Sequence, residues 1–189
     1  MHRTARTRLA GLVLAAGLAL CAAVPAHARP LGAEEATALQ KSVDTYLGAI
    51  GRRDAAGIIA ALPPRVLNVF AGATGIEARK LNATLVEQTE TMMKGTTFRD
   101  LATEEGALNA TETTLADGTE VTWVLVPTRF TLQSDGKKTL NQQPLLAVRE
   151  DQTWYFLRVD GEERRQLAAL AYPFLAEVAM PEARITPME

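Results

Sequence analysis

The sequence predicts an α+β domain: N-terminal helices packed on a strongly curved antiparallel sheet of four to five strands, followed by a C-terminal helix. Three observations predict it. Apolar residues first recur at helical spacing, with Leu39, Val43, Leu47 and Ile50 as the clearest stripe. From Thr96 onward, threonine and β-branched residues rise, and Asp-Gly pairs at 117–118 and 135–136 each signal a hairpin. The tail then returns to helical spacing, with Leu167, Leu170, Phe174, Leu175 and Val178 on one side.

The elements follow in order. Tyr46 borders the first stripe, and Gly51 is expected to close that helix. Asp54 is a suitable N-cap for "AAGIIAAL", which Pro63 and Pro64 stop. Pro64 also suits the first turn of the next helix, "PRVLNVFAG". A longer helix from about Ile76 to Lys94 places Leu81, Leu85, Thr89 and Met92 on one face, with Gly95 ending it. "TEVTWVLVPTRFTLQ" and "KKTLNQQPLLAVR" flank the second Asp-Gly pair, and "EDQT" turns the chain into "WYFLRVD". Pro173 interrupts the last helical pattern, so a kink or break is expected near residue 172.

The first 28 residues read as a secretory signal. Arg3, Arg6 and Arg8 precede the apolar run "LAGLVLAAGLALCAAV", and "AHA" places small residues for cleavage after Ala28. The run is short for a membrane-spanning helix, so no stable anchor is expected after cleavage. Leu20 stands before Cys21 where lipoprotein processing wants a small side chain. The expected product is a single periplasmic or secreted domain over residues 29–189, that is 161 of the 189 residues. Removing the three signal arginines from the 20 basic residues leaves 17 against 22 acidic ones, a net −5. Such a surface gives no electrostatic support to nucleic-acid binding.

Reactive side chains are scarce. His2, His27 and Cys21 all lie in the signal, and Ser42 and Ser134 are the only serines. That composition excludes serine and cysteine triads, histidine bases, the usual zinc ligand sets and disulfides from the processed chain. No cofactor or metal is implied, and no catalytic residue is assigned. "DGEE" at 160–163 lacks the alternating oxygen ligands of a calcium loop and reads better as a helix start. Asn82 and Asn109 head N-x-T triplets, which matter only where exported proteins are glycosylated.

"VDTYLGAIGRRDAAGIIAAL" and the final hairpin "LLAVREDQTWYFLRVDG" together resemble the nuclear-transport-factor-2-like superfamily of cone-shaped α+β domains. The resemblance implies a ligand cavity on the concave side of the sheet and homodimerisation through its outer face. Some members of that superfamily are isomerases or dehydratases that use tyrosine, aspartate and histidine in the cone. Here the histidine is missing, and Tyr46, Asp44 and Asp100 match no such motif.

Hairpin register assigns the faces. Pairing across Asp151-Gln152 sets Arg149 opposite Trp154, Ala147 opposite Phe156 and Leu145 opposite Arg158; pairing across Asp135-Gly136 sets Leu132 opposite Thr139 and Phe130 opposite Asn141. A bulge at Pro127 or Pro144 would exchange the faces beyond it. One face carries Gln143, Trp154, Phe156 and Arg158, the expected ligand-binding set. There the arginine fork suits a carboxylate and the indole suits a ring. The other face carries Trp123, Leu125, Arg129 and Tyr155, the expected interface. The same residues also fit plain packing, with Arg158 paired to an acidic neighbour and Trp154 anchoring the core. The resulting expectation is an exported, non-catalytic domain that binds a small molecule or a protein; the alternative is an isomerase or dehydratase built from carboxylate and tyrosine groups.

Overall fold

The computed structural model describes residues 27–104 and 108–189. The expected signal lies largely outside them, and its cleavage point falls inside the first strand, β1 (His27–Pro30). Helix α1 (Ala33–Arg52) begins where the Gly32 amide donates to Glu35 Oε2 at 3.1 Å. It buries Leu39, Val43, Tyr46 and Leu47. Gly51 does not close it: the helix runs on and ends at Arg53, whose φ of 57° lies in the left-handed region. Gly51 lies against Leu101, whose Cδ1 a β-carbon there would meet at 3.4 Å, an ordinary contact distance.

Helix α2 (Ala55–Ala60) is capped as expected, with the Gly57 amide donating to Asp54 Oδ1 at 2.9 Å. Helix α3 (Pro64–Thr74) starts on Pro64, and α4 (Ala78–Met93) follows. Leu81 is buried and Leu85 and Thr89 are half-buried, but Met92 is 74% exposed and Met93 is the buried one. Helix α4 packs on α2 and α3.

Seven antiparallel strands form an open sheet where four to five were expected. They are β1, β2 (Thr97–Thr103), β3 (Asn109–Thr114), β4 (Glu120–Ser134), β5 (Lys137–Glu150), β6 (Thr153–Arg158) and β7 (Arg184–Met188). The additional strands β1 and β7 are short and each contains a proline, which hides them from a pattern reading. Positive φ at Asp135 and Gly136, and again at Asp151 and Gln152, marks two tight primed turns. Every expected pairing across them is present, Arg149 with Trp154 and Phe130 with Asn141 included.

Neither proline of the central hairpin makes a bulge. Pro127 and Pro144 face each other in an unbroken β4–β5 register. Each stands where its strand changes neighbour. The first part of β4 pairs with β3 and the later part with β2; the first part of β5 pairs with β7 and the later part with β6. Proline has no amide proton to give a ladder, and at these positions no flanking strand is in register to receive one. The sheet therefore branches at this pair. The irregularity that does occur lies in β2, between Arg99 and Ala102.

Both faces of the upper half carry a core. On one, α1 covers Val124, Val126, Leu145, Ala147, Trp154 and Phe156. On the other, Val121, Leu146, Val148, Leu157 and Val159 meet Val66 of α3 and the C-terminal segment. That segment is α5 (Glu162–Ala171), a break at Tyr172 as Pro173 demands, and one 3-10 turn over Pro173–Glu177. Ala168 and Ala171 are buried and let α5 lie close, while Leu170 faces outward at 69% exposure, contrary to the expected stripe.

Candidate functional site

The structure brings the expected ligand set together, but mostly as packing. Phe156 stacks on Tyr46 with ring centroids 5.1 Å apart, and burial raises the Tyr46 hydroxyl above its ordinary pKa. Trp154 is buried beneath the Arg149 guanidinium, 5.6 Å from its ring centre. Arg158 reaches Asp160 through Nε and Nη2 at 3.0 and 2.8 Å, and Nη2 donates to Gln143 Oε1 at 3.2 Å. Asp160 also accepts from Arg164 Nη1 at 2.8 Å. The face expected to line a cone is thus filled by side chains from α1, with Arg158 tied at its rim.

The expected interface residues share one face of the sheet, which the C-terminal segment of the chain partly covers. Trp123 stacks on Phe174 of the chain's own C-terminal segment, with centroids 5.6 Å apart. Tyr155 is half-buried opposite Val148. Arg129 is exposed opposite Gln142, and Leu125 is half-buried.

Two polar clusters went unforeseen. Arg29 bridges Glu35, through Nη1 at 2.6 Å, and Glu112, through Nη2 at 2.6 Å; Arg149 adds a third ion pair to Glu35 at 2.9 Å. The hydrogen bonds from Arg29 outweigh burial and hold the Glu35 carboxyl at about 2. In the second cluster Tyr172 donates to Glu150 Oε1 at 2.8 Å, and Arg65 pairs with Asp117 at 2.9 Å. Burial, then the Glu150 carboxylate, pushes the Tyr172 hydroxyl far up. Tyr172 is fully buried, and Glu150 is half-buried beside it. Both clusters join segments distant in sequence, a relation that no local pattern reveals.

A groove of about 400 Å³ lies at the sheet branch. Leu125, Pro127, Pro144 and Pro181 give it apolar walls; Thr128, Gln142, Gln143, Glu104, Glu182 and Arg184 give it polar ones. Gln143 comes from the expected ligand set and Leu125 from the expected interface; the others were missed. The branch explains the groove, because flanking strands leave a gap on either side of the Pro127–Pro144 pair. The Glu104 amide closes part of it by donating to the Pro127 carbonyl at 2.9 Å. Gln142 Nε2 donates to Glu104 Oε1 at 2.6 Å. A broader depression along the outward face of α1, beside Gln40 and Asp44, is lined by that helix alone. Among the described residues, no three His, Cys, Asp or Glu side chains cluster closely enough to hold a metal ion.

No protein-family model, curated protein or solved structure matches this chain.

Proposed function

We propose that the protein is an exported, non-catalytic α+β domain that binds a small molecule in the groove at the sheet branch. The observation that carries this reading is the groove itself: a recess in the size range of small-ligand sites, with rigid apolar walls and a few polar groups between them. The expected cone beneath α1 is occupied by Tyr46, Trp154 and Phe156, which moves the site to the branch. Export rests on the N-terminal signal pattern. No helix among the described residues is long and apolar enough to cross a membrane. An isomerase or dehydratase needs an accessible acid–base pair, and the Tyr172 hydroxyl that donates to Glu150 belongs to a fully buried residue.

The test is native mass spectrometry of gently purified protein beside a Leu125→Trp variant that fills the groove floor. A bound small-molecule mass on the wild type, lost from a folded variant, is the expected result. Wild-type protein that carries no ligand, or a variant that retains it, contradicts the reading.

A further inference from the structure

We infer that Pro187 closes the free edge of β7 to a second copy of this chain, which would otherwise add to the sheet strand on strand. The direction of its nitrogen carries the inference. In an antiparallel ladder, residues of narrow pairs turn N–H and C=O toward the partner strand, and residues of wide pairs turn them away. Proline has no N–H, so it joins a ladder only in a wide pair. Pro187 pairs with Thr139 within the unbroken register from Lys138–Met188 to Gln142–Arg184. Thr186 and Met188 therefore turn their backbone groups to β5, whereas Ile185 and Pro187 turn theirs to the free side. Counting from the Asp135-Gly136 turn gives the same result. The Ser134–Lys137 pair that closes it is narrow, so Lys138, Leu140 and Gln142 point away from β4 and toward β7.

The other edge strands carry devices of their own. Pro30 stands in a wide pair with Asn109, its nitrogen on the outer side of β1. On β6 the outward amide of Phe156 donates to the Ala61 carbonyl at 2.8 Å. On β2 the register shifts between Arg99 and Ala102, where Asp100 has a φ of 53°. The edge of β7 is the exposed one: all five of its residues face solvent, Ile185 among them.

The excluded partner is a second β7, because the strand fits itself. Laid antiparallel over its whole length, it places the two-fold axis at Thr186. Each narrow pair then joins Ile185 of one copy to position 187 of the other. Such a pair has two hydrogen bonds when both residues carry an N–H. Proline removes one from each pair and leaves the facing Ile185 carbonyl without a donor. A β-branched residue at 187 would restore the bond and also pack against the partner's Ile185 across the strands.

The test compares the purified protein with Pro187→Val and with the double variant Ile185→Pro/Pro187→Val, by sedimentation equilibrium and amide hydrogen exchange. Near millimolar concentration, Pro187→Val is expected to double its mass relative to the wild type. The double variant returns a proline to the same edge and is expected to sediment like the wild type. In both, the Leu140 amide should exchange as slowly as in the wild type, since neither substitution touches a bond to β5. Wild-type behaviour of Pro187→Val, or association of the double variant as strong as that of Pro187→Val, overturns the inference. Faster exchange at Leu140 in either variant also overturns it, because position 187 or 185 would then face β5.

Discussion

Glu35 shows how a single side chain ties the N-terminal segment to the sheet. It accepts from its own helix start at Gly32 and pairs with Arg29 and Arg149, joining β1, α1 and β5. Its folded pKa of about 2 lies below the ordinary 4.5. Its contribution to stability is therefore complete above pH 4.5 and lost as pH falls toward 2. Urea unfolding at about pH 6 and about pH 2.5 should show a steeper acid loss for the wild type than for Glu35→Gln. Equal losses contradict this. Arg158→Ala should cost under about 1 kcal/mol, because the pair with Asp160 leaves the arginine 40% exposed and Arg164 still neutralises the aspartate. A loss of several kcal/mol in the same assay would show that Arg158 belongs to the core. The sequence made legible which residues share a face here, because strand register is local arithmetic about a turn. It could not show that Tyr46 and the apolar stripe of α1 fill the face beside Phe156, because that depends on what α1 brings in.

At the scale of the element, the hairpins were the most legible parts. Asp135-Gly136 is a short signal with a narrow conformational meaning, so a whole ladder follows from it. The same arithmetic sets Pro127 against Pro144, and their coincidence is the one sequence sign of the branch. Helix ends were less legible. Arg53 takes the left-handed cap position where Gly51 was expected, Met92 turns outward while Met93 takes the buried place, and Leu170 turns outward where small alanines make the contact. Two variants test the two cores. Phe156→Ala should lose about 3–5 kcal/mol, since the ring is buried and stacked on Tyr46. Trp123→Glu sets a charge against Phe174 and should expose the segment from Pro173 to limited proteolysis before the sheet unfolds. A cleavage pattern unchanged from the wild type argues against that contact holding the segment.

For the whole molecule, one hairpin organises everything: its upper half lies between two cores, and its lower half carries β2 and β7 at its edges. The fold class was readable because each layer has its own period. The groove was not, since its walls come from four segments that meet only after both halves of the sheet are built. Truncation after Met180 should separate these roles. All residues from Pro181 onward are exposed, so the loss in unfolding free energy should stay near 1 kcal/mol. Ligand binding in the groove should disappear with Pro181, Glu182 and Arg184, which line it. A truncated protein that fails to fold, or one that still binds, contradicts this division.

The short edge strand β7 also decides how the molecule bears load. Tension applied at Glu189 reaches β7 first, and its pairs with β5 open singly, from Met188–Lys138 to Arg184–Gln142. The opening then halts, because the chain before Arg184 leads through residues 181–183 to Met180 and Val178, which pack against the second core. The C-terminal tail is thus a pull-tab of low resistance on a body that does not yield with it.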